Sequence, residues 1–378
     1  MTLEPFTVRI PQEILDDLRD RLARTRWPDE VEGAGWDYGA NLDYMRELVG
    51  YWKDRFDWRA QERAMNRFSH HRARLDGFGL HFIRERGRGA DSLPLLLLHG
   101  WPASFLQMLP ITPLLADPVS HGGDAADAFD AIIPSLPGYG FSDRPAERGM
   151  TVARIAGLLH RLMTGELGYE RYGIRGSDLG AGVAVQLALS HPDSVIGIHL
   201  SGTNPSVPFV PPDLSPAEER FLRDAENWRN TESGYAMEQS TKPQTLAYGL
   251  SDSPAGLAAW IVEKFRAWSD CGGDVERRFS KDELLANLTL YWATGTIGSS
   301  VRLYYESVRD REARWGRVEV PTAMAMFPKD MFPTPREWAN RWCAIRRWTE
   351  MPRGGHFGEM EEPELLAADI RAFFRGLR

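Results

Sequence analysis

The sequence predicts an α/β protein: a mostly parallel, doubly wound sheet with a helical lid and an N-terminal helical extension. Three observations carry that expectation. Short apolar runs bounded by turn residues, at 94–98 and 129–134, have the composition of strands buried on both faces. Helical stretches stand between successive strands, the pattern of parallel pairing. The run Tyr172-Gly173-Ile174-Arg175-Gly176-Ser177-Asp178-Leu179-Gly180-Ala181-Gly182 then reads as a strand, a glycine-forced turn and a helix, with Asp178 at the apex.

Taken in order, residues 10–24 set Ile14, Leu15, Leu18 and Leu22 at helical spacing, with Pro11 tolerated in the first turn. A second helical stretch from Leu42 through Trp52 precedes Phe56 and Trp58, aromatics that read as packing. These helices form an extension, 1–71, expected to wrap the main domain ahead of any strand. A hairpin follows at 72–75 and 80–83 around Asp76-Gly77. The strand at 94–98 ends in His99-Gly100-Trp101-Pro102, and the strand at 129–134 runs into a loop, 136–143, whose prolines and glycines exclude helix and strand alike. A helix over 151–163, the Asp178 turn and a strand at 195–200 complete the first part of the core, 72–203. Over 204–317 the strand pattern gives way to helices, notably 255–268 and 282–308, placed as a lid over the active face. Strands at 318–326 and 345–351 and a last helix at 363–374 make the second part of the core, 318–378.

Composition limits the function. A chain of 378 residues suits one large domain with additions. Net charge is −8, and no Lys/Arg cluster is interleaved with aromatics, which argues against a nucleic-acid partner. Cys271 and Cys343 make neither a disulfide framework nor a metal pattern. The N-terminus carries Glu4 and Arg9 in an amphipathic pattern unlike a signal peptide. The longest aliphatic run, Leu95 to Leu98, is far too short to cross a bilayer. The expectation is a cytoplasmic enzyme with no membrane anchor.

The chemistry starts at Asp178. The tight strand-to-helix turn that lifts a nucleophile above a sheet usually presents serine. An aspartate there brings a carboxylate, which is ionised near neutral pH and attacks without a base. The alternative is that Asp178 is only a helix N-cap. An ester on Asp178 would need water and a base to break it. His356, in the glycine loop Arg353-Gly354-Gly355-His356-Phe357 after the last strand, fits the base by its order in the chain. Asp330, just beyond the preceding strand, fits the acid that orients it; Glu359, Glu361 and Glu362 are rivals on the wrong side of the histidine for this order. The amides of Trp101 and Leu179 are candidates for an oxyanion hole.

These residues resemble the epoxide hydrolases of the α/β-hydrolase superfamily, in the microsomal and juvenile-hormone type with its N-terminal extension. The resemblance spans nearly the whole chain: Phe56-Asp57-Trp58, His99-Gly100-Trp101-Pro102, Gly176 to Gly180, Glu232-Ser233-Gly234-Tyr235, Ser299 to Tyr304, and Arg353 to Phe357. It implies the α/β-hydrolase fold, with Asp178 as nucleophile, Asp330 as acid, His356 as base, and Tyr235 and Tyr304 as paired donors that open the ring. It implies no cofactor and no metal; the partners are a small-molecule epoxide and water, with oligomeric state open and a homodimer one option. The chain looks like a soluble bacterial relative, with aspartate where some relatives carry a glutamate acid. Tyr305 adjoins Tyr304 and would point elsewhere on a helix. A haloalkane dehalogenase also uses an elbow aspartate, but it usually has tryptophan where Leu179 stands. An esterase would want serine at the apex, and Ser177 lies off it. A receptor that had lost catalysis would lack one of the triad. The physiological epoxide stays open, as does the choice between detoxification and natural-product biosynthesis.

Overall fold

The computed structural model describes residues 3–202, 210–331 and 333–378. Among them, the strands are β1 (Glu4–Pro5), β2 (His70–Leu75), β3 (Phe78–Glu85), β4 (Leu93–Leu98), β5 (Phe129–Pro134), β6 (Tyr172–Ser177), β7 (Val195–Ser201), β8 (Val318–Met326) and β9 (Cys343–Glu350). They form one sheet in the order β1-β2-β3-β5-β4-β6-β7-β8-β9. Pairing is antiparallel from β1 to β5 and parallel from β5 to β9. The β2–β3 hairpin turns on Asp76 (φ 49°) and Gly77 (φ 82°), the two left-handed residues that an Asp-Gly hairpin turn needs.

The helices of the first half are α1 (Gln12–Ala23), α2 (Leu42–Asp54), α3 (Trp58–Met65), α4 (Thr112–Ala116), α5 (Val152–Arg161) and α6 (Leu179–Ser190). Between β7 and β8 lie α7 (Pro216–Glu232), α8 (Gly234–Thr241), α9 (Pro243–Asp252), α10 (Pro254–Trp268), α11 (Lys281–Thr294) and α12 (Ile297–Ser307). After β8 come α13 (Arg336–Trp342), α14 (Gly358–Glu361) and α15 (Pro363–Arg375). Local chemistry sets several starts: Asn41, Asp57, Thr151 and Ser253 accept the cap bond at α2, α3, α5 and α10. Ser215 with Glu218 and Ser280 with Glu283 form full capping boxes at α7 and α11.

The sheet's middle is apolar on both sides because its side chains alternate. On β4, Leu96 and Leu98 pack into one cluster with α5, α6 and the lid, while Leu95 and Leu97 pack into the other with α4 and α15. All four are fully buried, each worth about 1.5–3 kcal/mol of transfer free energy. The result is a rigid platform whose β4, β6, β8 and β9 loops open on the same edge, the carboxyl ends of the parallel strands, where ligands bind in open α/β sheets.

Three expectations need correction. The helix expected over 282–308 is two, α11 and α12. Gly295 ends the first in the left-handed conformation (φ 63°), its N–H bonded back to Trp292 and Tyr291, as a helix-terminating glycine does. The extension does not precede every strand, since Glu4 and Pro5 pair antiparallel with His71 and Arg72 at the sheet's edge. The helix expected over 151–163 is α-helical only to Arg161 and then widens into a π-turn, Leu162–Glu166. The boundary at 203/204 lies outside the described residues.

Candidate active site

Asp178 sits at the sharp junction of β6 and α6 with φ 52° and ψ −125°. A non-glycine residue there stores about 1–3 kcal/mol of backbone strain, and such strain clusters at functional positions. The turn is tight because its neighbours are small: a Cβ at Gly180 would strike the backbone of Leu98 and His99, and one at Gly100 would strike the Asp178 side chain. The N-cap alternative fails, because the Asp178 side chain makes no capping bond to α6. Instead Oδ1 accepts the N–H of Trp101 at 2.9 Å. Leu179, the other expected oxyanion residue, opens α6 directly behind Asp178 and lines the same cavity.

His356 approaches from the loop after β9. Its Nδ1 lies 2.8 Å from Asp330 Oδ1 and its Nε2 3.7 Å from Asp178 Oδ2. The Asp330 and His356 loops are stitched together by Lys329 N–H donating to Gly354 C=O (3.1 Å) and by a parallel bridge between Lys329 and Gly355. His356 is 2% exposed; burial opposes its positive charge, but Asp330 and Asp178 outweigh burial and push its pKa up to about 10. The imidazole is therefore held as imidazolium while both carboxylates carry charge.

Two lid helices supply the roof. Tyr235 of α8 and Tyr304 of α12 line one cavity of about 390 Å³ together with Asp178 and Leu179. Tyr235 stacks on Trp101 (centroids 5.2 Å apart, planes 6° apart) and stands edge-on to Tyr304 at 6.0 Å. Burial first, and then the Asp178 charge, push the Tyr235 phenol above its ordinary value; burial, Tyr235 and Asp178 do the same for Tyr304. Both stay protonated donors throughout the neutral range. Tyr305 faces away: its ring carries the Arg309 guanidinium at 3.7 Å and borders a separate surface depression with Arg144 and Arg302. The cavity walls farther out are mostly apolar, with Val152, Val185, Leu189, Val318 and Met331 among them.

The structure brings together Asp178, His356, Asp330, Tyr235, Tyr304, Trp101 and Leu179, and it gives the rival carboxylates other partners. Glu359 accepts from Arg175 Nη2 (2.7 Å), Ser177 Oγ (3.1 Å) and Gln107 Nε2 (2.8 Å), all buried beneath the elbow. Glu362 bonds Arg278 and Arg353. Sequence reasoning missed this buried layer, and it missed Trp268, which ends α10, accepts the His356 N–H on its carbonyl (2.8 Å) and sets its indole edge-on to the imidazole at 5.2 Å. The only sequence signal was an unusual one: an arginine, Arg175, inside an otherwise apolar buried strand.

A sheet of this order with an aspartate elbow and a histidine after the last strand defines an enzyme of the α/β-hydrolase fold, and residues 94–271 match the alpha/beta hydrolase fold model. Residues 3–108 match the model of the epoxide hydrolase N terminus. The chain is 44% identical over 383 residues, all of its length and 86% of the other's, to a Stigmatella aurantiaca protein named provisionally as an epoxide hydrolase. It is 36% identical to epoxide hydrolase 1 of Sus scrofa over 98% of this chain and 88% of that one. The solved juvenile hormone epoxide hydrolase of the silkworm Bombyx mori superposes with TM-score 0.90 at 30% identity, covering 100% of this chain and 95% of that one. The chain belongs to the epoxide hydrolase family.

Proposed function

We propose that the enzyme opens an apolar or aromatic epoxide to a vicinal diol in two covalent steps. The observation that carries this reading is the division of labour on the Asp178 carboxylate: Oδ1 is held by the Trp101 amide and Oδ2 faces His356. In the first step Oδ2 attacks an epoxide carbon, the carbon–oxygen bond of the ring breaks, and Tyr235 and Tyr304 donate to the oxygen that leaves as alkoxide. The alkoxide takes the proton of one of the two phenols, the phenolate regains a proton from solvent, and Asp178 becomes a neutral ester. That change removes one of the two anions that hold the proton on His356, so its pKa falls and Nε2 is freed to accept a proton. In the second step water gives its proton to His356 Nε2 and attacks Cγ of Asp178, and charge develops on Oδ1, already beside the Trp101 N–H. His356 returns that proton to the leaving oxygen as the acyl–oxygen bond breaks, which releases the diol and restores the carboxylate with one oxygen from water.

The apolar walls support an apolar substrate body. Among the described residues no helix is long and apolar enough to cross a membrane. A single turnover of styrene oxide in heavy-oxygen water tests the chemistry. The label should enter the Asp178 carboxylate and be absent from the first diol released. Label in that first diol would mean that water attacks the epoxide directly, and the covalent reading would fall.

A further inference from the structure

His356 stands in a loop whose amides from Gly354 to Phe357 are all bonded outside the loop. Gly354 N–H donates to Asp270 Oδ2 (3.0 Å) and His356 N–H to the Trp268 carbonyl (2.8 Å). The amides on either side of His356, those of Gly355 and Phe357, donate to the two oxygens of one carboxylate, Glu361 Oε2 (3.1 Å) and Oε1 (3.0 Å). Oε2 also takes the N–H of Asp270 at 2.8 Å. Glu361 thus straddles the histidine's peptide and ties it to the segment that follows lid helix α10. The side chain is 8% exposed, and none of the reaction steps above uses it.

We propose that Glu361 is a positioning residue that locks the base loop to the lid, and that loss of its charge slows hydrolysis of the Asp178 ester while leaving formation of that ester intact. An ionised carboxylate offers only acceptors and satisfies all three N–H groups; a protonated one must aim an O–H at the donors and strand one of them. Freed on one side, the His356 peptide shifts, and about 1 Å of misplacement costs on the order of a hundredfold in rate. Ester formation escapes because Asp178, Tyr235 and Tyr304 are placed by the elbow, α8 and α12.

The surroundings make this charge labile. Burial pushes Glu361 up to about 7, against the pull of the Asp270 and Phe357 amides, Arg278 and His356. The other charged groups around it have partners: Arg278 bonds Asp270 and Glu362, Arg353 bonds Glu362, Glu359 bonds Arg175, and Asp330 bonds His356. Titration of Glu361 therefore acts on the three amides it holds.

The proposal rests on the two-step reading, and a quenched single-turnover experiment separates the two. Enzyme is mixed with styrene oxide, and the added mass on the Asp178 peptide is followed as it rises and decays between about pH 5 and 9. In the wild type, decay needs neutral His356 and charged Glu361, so the logarithm of its rate should fall on the acid side with a slope approaching two. In Glu361→Gln, decay should be roughly ten- to a hundredfold slower with an acid slope of one, and formation should stay within about twofold. Decay at the wild-type rate, or the same acid slope in both proteins, overturns the proposal, as does equal slowing of both steps. If Glu361→Gln does not fold, hydrogen exchange in the wild type decides: protection of the 354–357 peptide, corrected against an unstructured reference, should drop below about pH 7. Protection unchanged through that range overturns the proposal. No mass on the Asp178 peptide of the wild type at any time would instead overturn the two-step reading itself.

Discussion

The floor and the roof of the cavity are built by different means. On the floor, Asp178 and His356 are placed by backbone: a strained elbow residue, an amide on one carboxylate oxygen, and a histidine loop bonded at every N–H from 354 to 357. In the roof, Tyr235 and Tyr304 ride on helices and are placed by ring packing against Trp101, Trp268 and each other. Backbone placement fixes a side chain within a hydrogen bond's narrow geometry, whereas packing fixes it only as well as the neighbouring rings fill space. The floor should therefore respond to substitution through its chemistry, and the roof through both chemistry and fit.

The largest break comes on the floor. His356→Gln removes the proposed base but leaves Asp178 and both tyrosines, so the enzyme should still be alkylated while ester hydrolysis falls by roughly 10⁴-fold or more. Intact-protein mass spectrometry should show the ester persisting after substrate is consumed; rapid return to the unmodified mass would require another base. In the roof, Tyr235→Phe and Tyr304→Phe keep the rings and remove one donor each. Each should slow alkylation by roughly 10²- to 10³-fold, with the double variant nearly inactive and thermal stability little changed. Near-normal alkylation by the double variant would return both residues to packing alone.

The same division explains what could be read from the chain. Strand 129–134 was legible to the residue because continuous burial leaves a nearly continuous apolar run; strand 318–326 was found with the same bounds although Glu319 is exposed in it. Asp178 was legible because only small residues tolerate the close approach of α6 to β4 at Gly180 and of β6 to the first turn of α6 at Gly176, so the two glycines announce it. His356 and Asp330 followed from their order in the chain. The tyrosines were not legible from spacing, since a roof made by packing leaves no local pattern; only likeness to a family pointed to Tyr235 and Tyr304. The Arg175–Glu359 pair was hidden for another reason. Its partners are 184 residues apart, and a buried ion pair has no sequence period. The Gly295 break in the lid was visible only as a glycine within a stretch read as one helix, because α11 is buried all round and shows no apolar stripe that ends at the break.

Asp330→Asn sharpens the picture of the floor. The imidazole stays, so ester hydrolysis should fall less than in His356→Gln, on the order of a hundredfold in stopped-flow single turnover. It also removes a main support of the His356 charge. Because folding raises the His356 pKa from 6.5 to about 10, the stabilisation is fully present below about pH 6.5 and is lost as pH rises towards 10. Urea unfolding at about pH 7 and pH 9.5 should therefore show a larger alkaline loss in the wild type than in Asp330→Asn. Equal losses would mean that Asp330 does not hold the proton.

The smallest expected effect concerns histidines with the opposite sign. His99, directly before the Trp101 loop, bonds Nδ1 to the Gly100 carbonyl (3.0 Å) and takes the Leu136 N–H on Nε2 (3.2 Å). A carbonyl only accepts and an N–H only donates, so these partners suit one neutral tautomer. Under the hairpin, His70 gives Nε2–H to the Met65 carbonyl (2.9 Å), which makes its Nδ1 the acceptor of His81 Nε2–H (2.9 Å) and leaves His81 Nδ1 to accept the Ser135 hydroxyl (2.9 Å). One added proton breaks that chain. Burial lowers all three pKa values, His99 to about 4, with neighbouring charges adding to the effect at His81. Here the folded state binds fewer protons than the unfolded one, so stability is full above about pH 6.5 and falls as pH drops, by up to about 1.4 kcal/mol per pH unit for each histidine. Urea midpoints measured from pH 7 down to pH 5 should decline, and His99→Asn, which keeps a donor for the Gly100 carbonyl and cannot take up a proton, should flatten the decline by about one proton's share. An unchanged slope in that variant would assign the acid sensitivity to the other histidines that burial keeps neutral, the His70–His81 pair and His199 among them.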